Sequence, residues 1–530
     1  MCSKASLAFI LCTVFLYVSG TSGYKILCVF PIYFPSHYFL GNELAKGLAE
    51  AGHDVTMVTV FEEKNPPKNG KYKQIIMYDI IQTEKELLNK IANVSTIISQ
   101  GSVFSNPLSF LSNFINVCYD ITEQTLKNRK MQELIKSNQT FDVLLLPQFS
   151  LEALKGLAPH FKAHLVLFNN NAMITQMGHF VGVPNLPSIN SEMLLGYTEQ
   201  MNFQQRLLNT ILNVVTRIGV LIYDYPRHKE LVHKYISKDI DLTDIQYNAA
   251  LVLSNSHTSL NLAEASVPVI KEIAGFHVRP PKKLPDDLQK YLDEAKDGVI
   301  YFSMGSNLKG IDLPNNTRKA LMNAFSKRKE NILWKFETDD MPGKPKNVRI
   351  EKWLPQSDIL AHPNVKLFIT HGGFLSSIET VYHGMPTVAI PAFGDQLINA
   401  KKAEAAGYTY IIELHQLSER TISTAIEEVL TNKKYRENVR HRSKIFHDRP
   451  VKPLDDAVYW VEYIVRHNGA QHLRVNYLKL SWYEFIMVDV IATILAVIFV
   501  LLYIVKKIVC SILDLRIKKI DEKAEKIKKQ

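Results

Sequence analysis

Lys25–Phe30 (KILCVF) is an unbroken apolar run ended by Pro31 and Pro35. Residues 38–51 then repeat their apolar positions at helical spacing, and Gly52-His53 leads into another apolar run at residues 54–60 (DVTMVTV). Strand, loop, helix and strand in that order predict one unit of a parallel sheet with a right-handed crossover. The pattern recurs: helices are expected over residues 127–136 and 204–223, and strands over residues 143–146, 164–168 and 251–254.

From Gly298 the order begins again. Strands are expected over residues 299–303, 332–336, 348–351, 365–370 and 387–390, with helices over 317–326 and 373–383. Two such runs predict an α/β chain of two Rossmann-like domains, residues 24–277 and 286–475, joined by a Pro-rich linker at 278–285 (VRPPKKLP). Ligands of paired domains of this kind sit at the carboxyl ends of the strands, in the cleft between them. Neither first strand is followed by Gly-x-Gly-x-x-Gly, and no Walker loop is present, so dinucleotide oxidoreductases and P-loop NTPases lose their main support.

The ends of the chain carry a different pattern. Residues 1–23 read as a secretory signal peptide: a basic start, a short apolar core and the small-residue exit Ser19-Gly20-Thr21-Ser22-Gly23. Residues 485–505 hold one ionisable group after Glu484, Asp489, and at ~1.5 Å per residue they cover the ~30 Å hydrocarbon core of a bilayer. Lys506-Lys507 open a basic tail, 506–530, so the expected topology is type I, single-pass, with the body in the lumen and the tail in the cytosol. That tail carries nine Lys/Arg against four acids, half of the formal net charge of +10, so the charge belongs to a terminus and nucleic acid is not an expected partner. Lys526 and Lys528 resemble a di-lysine retrieval signal, which points to the endoplasmic reticulum membrane.

Of five cysteines only Cys28 and Cys118 fall in the expected lumenal body. A disulfide-built scaffold is thereby excluded; the two could pair, but Cys28 in its apolar run reads first as a small core residue. Three sequons, at Asn93, Asn138 and Asn315, permit N-glycosylation.

The densest chemistry lies between Trp353 and Asn399 (WLPQSDILAHPNVKLFITHGGFLSSIETVYHGMPTVAIPAFGDQLIN). Phe368-Ile-Thr370 ends a buried strand, His371-Gly372-Gly373 makes a tight turn, and Ser376-Ser377 opens a helix. Such a strand end, Gly-Gly turn and helix N-terminus form an anion site suited to phosphate, because unpaired N–H groups and the helix dipole face the ligand together. Glu379 offers a carboxylate to sugar hydroxyls, Trp353 offers a face to a planar base, and Asp395-Gln396 add two more hydroxyl partners.

These residues match the signature of the UDP-glycosyltransferase family, W-x2-Q, H-x-G-x2-S-x2-E and D-Q, at Trp353, Gln356, His371, Gly373, Ser376, Glu379, Asp395 and Gln396. Over its whole length the chain resembles animal microsomal members, most nearly the insect type. The resemblance implies a GT-B fold in which the C-terminal domain holds a UDP-sugar and the N-terminal domain holds the acceptor. It implies uracil stacking by Trp353, uracil or ribose bonding by Gln356 and ribose bonding by Glu379. His371, Gly373, Ser376 and Ser306 would hold the diphosphate, while Asp395 and Gln396 would read the sugar. Inverting transfer of a hexose, glucose by the insect likeness, to a small lipophilic acceptor is expected, with no cofactor or metal; the oligomeric state, homo-oligomer included, is left open.

His37, directly before the expected helix, corresponds to the family's catalytic base. The family's usual partner aspartate would stand at Pro147, at the end of Phe141-Asp-Val-Leu-Leu-Leu-Pro147, while Asp142 lies at the opposite end of that strand. Gln148 is a candidate replacement. Leu375 stands where many members carry a diphosphate-binding Asn. The missing aspartate motivates one alternative reading, a non-catalytic UDP-sugar-binding membrane protein.

Overall fold

The computed structural model describes residues 23–529 apart from 93–106, 172–174, 184–185, 199, 262, 264 and 307. The expected signal peptide and the Asn93 sequon therefore lie outside the described residues. Seven parallel strands make the first sheet: β1 (Lys25–Phe30), β2 (Asp54–Thr59), β3 (Tyr72–Ile76), β4 (Val143–Pro147), β5 (His164–Asn169), β6 (Leu251–Ser254) and β7 (Ile270–Glu272). Their order is β3-β2-β1-β4-β5-β6-β7. Six parallel strands make the second: β8 (Val299–Ser303), β9 (Asn331–Lys335), β10 (Val348–Glu351), β11 (Val365–Thr370), β12 (Thr387–Ala389) and β13 (Thr409–Ile411), ordered β10-β9-β8-β11-β12-β13. In each sheet the earliest strand is internal, so the chain winds outward in both directions from β1 and from β8. Each sheet thereby has a crevice at the carboxyl ends of its first strands, where ligands of doubly wound sheets bind.

Burial explains the apolar runs. From Ile26 to Phe30, and throughout β4, β6 and β8, every residue is buried, because helices cover both faces of a parallel sheet. Cys28 sits in the first core and Cys118 in a second buried environment, both as free thiols, and burial pushes both thiols up. Cys28 is a core residue, as its apolar setting suggests.

Seven helices matter below. Helix α1 (Pro35–Glu50) starts three residues earlier than its apolar spacing suggests, because Pro35 supplies a pre-set first turn. His37 consequently lies in the first turn of a helix rather than in a loop. Helices α2 (Pro107–Lys127) and α3 (Phe203–Gly219) belong to the first half; α4 (Phe374–His383) and α5 (Gln396–Ala405) belong to the second. The single helix expected over 127–136 is broken at Asn128, whose side chain accepts from Lys130 N and caps a new helix at Arg129–Ile135.

Helix α6 (Pro453–Arg466), grouped by sequence with the second half, returns to the first sheet. Ala457, Val461 and Ile464, spaced four and three apart on one face, enter the core built on β1, β4 and β6. Their burial, about 1.5–3 kcal/mol for each of the larger two, ties the two halves together. A further shared cluster joins Leu260, Ala274 and Val278 to Phe374, Ile378 and Phe446. The expected linker is accordingly anchored at Val278 and Leu284, with residues 279–283 exposed between them.

Residues 475–530 form a separate unit. Its main element, α7 (Val488–Lys528), has no buried side chain and is long and apolar enough to cross a membrane. The helix does not stop at residue 505 but continues through the basic tail, whose Lys, Glu and Ile residues are helix-compatible and carry an i,i+4 pair, Lys529–Glu525 at 3.1 Å. At ~1.5 Å per residue its 41 residues reach roughly 60 Å, about twice a hydrocarbon core.

Candidate active site

A cavity of about 960 Å³ opens between the carboxyl ends of the two sheets and brings together every residue singled out for chemistry. His37 lines it from α1; Ser306, Trp353, Gln356, His371, Gly373, Ser376, Glu379, Asp395 and Gln396 line it from the second half.

One end of the cavity is built around His371. Strand β11 stops at Thr370, and Gly372 then turns the chain with φ of +81°, a conformation glycine adopts without strain. The imidazole of His371 is wedged between Gly305 and Gly373: a Cβ on either would come within 2.5 Å of the ring. Burial, with the Lys335 ammonium as a lesser cause, lowers His371 to about 4, so the ring is neutral near pH 7. Its Nδ1 has no hydrogen-bond partner among the described residues. Helix α4 begins at Phe374 with Gly373 as an N-cap that has no side chain, leaving first-turn amides directed at the same place. Ser306, half-buried in the Gly305-Ser306 turn, completes the cradle.

A chain of hydrogen bonds runs through Gln356. Tyr301 donates to Gln356 Oε1 at 3.3 Å, and Gln356 Nε2 donates to Ser376 Oγ at 3.0 Å and to Glu379 Oε2 at 2.5 Å. Burial pushes Glu379 up to about 7 despite that hydrogen bond. Trp353 is 72 % exposed at the rim, so its role is not core packing; an open indole face is free to stack.

The third group is set by α5. Asp395 is its N-cap and accepts from Asn399 Nδ2 at 2.7 Å and from the backbone N–H of Phe374, which couples the two helix starts. Burial raises its carboxyl. Gln396 Oε1 accepts from Ala392 N at 2.8 Å and Phe393 N at 3.2 Å, which turns its amide NH₂ toward other partners.

At the other wall, His37 stands among Phe34 and Phe149, with ring centroids at 5.5 Å and 4.6 Å. Its Nδ1 lies 3.4 Å from Ser36 Oγ, its Nε2 has no hydrogen-bond partner among the described residues, and burial lowers it to about 4. Among the described residues no carboxylate bonds this ring. Pro147 closes β4, and Gln148 turns aside, donating to Glu152 at 3.3 Å, which in turn holds Lys155 Nζ at 2.5 Å. Gln148 therefore does not replace the missing aspartate through a hydrogen bond to His37. Leu375 lines the cavity and also packs against the core of the first sheet.

Sequence reasoning missed the supports of this site. Tyr301 lies inside an apolar strand and gives no motif. Asn399 stands four residues after Asp395 on one helix face, a spacing that could have revealed it. Asn138 and Asn315, the two described sequon positions, are exposed.

Comparison with known proteins agrees with this arrangement. The family model for UDP-glucoronosyl and UDP-glucosyl transferase matches residues 25–523. The chain is 34 % identical over 484 residues to UDP-glycosyltransferase UGT5 of Dactylopius coccus, covering 90 % of each chain. It is 30 % identical over 512 residues to UDP-glucuronosyltransferase 2B13 of Oryctolagus cuniculus, covering 94 % of each. Among solved structures, UDP-glucose: anthocyanidin 3-O-glucosyltransferase in complex with UDP superposes with a TM-score of 0.54 at 17 % identity, covering 84 % of this chain and 100 % of that one. The calicheamicin glycosyltransferase CalG4 gives 0.53 at 16 %, covering 84 % and 99 %. The fold is GT-B, as expected, and the chain belongs to the UDP-glucosyl and UDP-glucuronosyl transferase family, enzymes that transfer a hexose from a UDP-sugar.

Proposed function

We propose that this transferase moves an uncharged hexose, glucose first, from its UDP-sugar to a hydroxyl of a small lipophilic acceptor, with inversion. The observation that carries the reading is the single cavity with an anion cradle at His371 and α4 on one side and His37 on the other. Trp353 stacks on uracil, Gln356 and Glu379 hold uracil and ribose, and His371, Gly373, Ser376 and Ser306 take the diphosphate. Asp395 and Gln396 bond the sugar hydroxyls. Neutral His37 removes the acceptor proton as that oxygen attacks the anomeric carbon; the C–O bond to phosphate breaks, and UDP leaves with its electron pair into the cradle.

Charge supports a neutral sugar. The cavity's Lys/Arg side chains are Lys46, Arg279, Lys282 and Lys335, and three already hold a protein carboxylate: Lys46–Glu43 at 2.9 Å, Arg279–Glu43 at 3.1 Å and Lys335–Glu337 at 3.0 Å. The Asp395 carboxylate would also repel an acidic sugar. Phe34, Phe110, Phe114, Phe149 and Phe180 line the acceptor side, which suits an apolar aglycone. The signal-like start, the α7 helix and the Lys-rich tail support a type I protein of the endoplasmic reticulum membrane with a lumenal body. Competition of UDP-glucose, UDP-galactose and UDP-glucuronate for one phenolic acceptor tests the donor reading: UDP-glucose should give the highest kcat/KM, and preference for UDP-glucuronate would overturn it.

A further inference from the structure

Helix α3 is amphipathic the wrong way round for a body surrounded by water. Only three of its positions are buried, Asn209, Leu212 and Thr216, two of them polar, and Asn209 Nδ2 donates to the carbonyls of Pro187 at 2.7 Å and Asn190 at 2.8 Å. Its outward positions are Phe203, Leu207, Leu208, Ile211, Val214, Val215 and Ile218, all exposed, Phe203 at 69 %. At about 100° per residue these side chains fill a sector roughly 140° wide on the solvent side. The apolar stripe continues past the helix into Leu221 and Ile222, the latter 74 % exposed, and Leu186 and Ile189 stand exposed on the segment to which Asn209 is bonded. A contiguous apolar surface of this extent marks a covered face.

Charge indicates what covers it. Helix α3 contains no acid and two arginines, Arg206 and Arg217, both exposed along one edge of the sector. Apolar side chains edged by cations are the composition of a helix lying in a membrane interface beside anionic headgroups. The buried Asn209 network and the buried Asp224 that follows hold the helix to the body, so it lies along a surface and does not span. The chain itself also carries a helix fit to cross a bilayer. We propose that the outward face of α3 is a monotopic docking surface for the lipid bilayer to which this chain is anchored.

The full-length chain, with Cys510 replaced by Ser and single spin labels at Leu207→Cys, Ile211→Cys and Ile218→Cys, is reconstituted in vesicles of phosphatidylcholine with phosphatidylserine. Lys329→Cys, on the exposed surface of the second half, serves as the water-facing reference. The readout is collision of each label with oxygen, which concentrates in lipid, and with a water-soluble nickel chelate. The three α3 labels should favour oxygen over nickel several-fold more than the reference does. Two results would overturn the proposal: nickel access equal to the reference, which leaves the face in water, or exclusion of both reagents with short label-to-label distances between copies, which makes the face a dimer contact. None of these readouts depends on transferase activity.

Discussion

The imidazole of His37 stands edge-on to the ring of Phe149, with 4.6 Å between the centroids. Phe149 follows Pro147-Gln148 at the end of β4, so an aromatic ring from that strand end meets the imidazole where a carboxylate is expected. The ring is held by packing rather than by a charge. Its imidazolium would form without an anionic partner, which is why burial lowers His37 to about 4.

That value sets the pH dependence. A base titrating at about 4 is neutral above pH 5 and is lost only as pH falls through 4, so at saturating UDP-glucose kcat/KM for a non-ionising acceptor should stay level from pH 5 to 8. A decline beginning near the ordinary histidine value of ~6.5 would show a carboxylate-like partner at the ring.

Gln148 donates to Glu152 rather than to His37. Gln148→Ala should therefore leave kcat unchanged while lowering the unfolding midpoint, because the buried Glu152 loses a donor worth about 1–2 kcal/mol. A large fall in kcat at unchanged stability would restore Gln148 as the substitute partner.

Burial pushes Glu379 up to about 7, and ribose hydroxyls would bond its ionised form. Binding then releases a proton: UDP-glucose affinity should rise with pH up to about 7 and level off above it. Calorimetry across pH 6–8 checks this, and Glu379→Gln should remove the pH dependence along with part of the affinity.

Gly305 has φ of +80°, and a Cβ there would lie 2.5 Å from His371 Cε1. Gly305→Ala should displace the His371 ring and weaken UDP-glucose binding by about tenfold or more, a cost of roughly 1–3 kcal/mol. Unchanged affinity would show that His371 is not part of the diphosphate cradle.

The strands at the centres of both sheets were legible because two-sided burial writes itself as unbroken apolar runs, as in KILCVF and VIYFS. Of the edge strands β10 was read at 348–351, but β3 (YKQII), β7 (IKE) and β13 (TYI) were not, being short, part-exposed and mixed in character. The return of α6 to the first sheet is a tertiary fact, since an apolar stripe at Ala457, Val461 and Ile464 names a buried face but not the surface it meets. That the residues proposed for the donor share one cavity was legible because the His371 turn, the α4 start and the Asp395-Gln396 pair are local in sequence. The setting of His37 was not, because Phe149, whose ring meets the imidazole, comes from a distant segment. The covered face of α3 was legible only as a helix; which side faces outward required the fold.

The central claim, that His37 serves as the base of a UDP-hexose transferase without a carboxylate partner, is tested most directly by acceptor-dependent UDP release. Membranes containing the full-length chain and its His37→Ala variant are compared with UDP-glucose and a phenolic acceptor, with UDP-glucose binding measured alongside. Release should fall at least about 100-fold in the variant while donor affinity is retained. Release at the wild-type rate from a variant that binds the donor equally well would contradict the account.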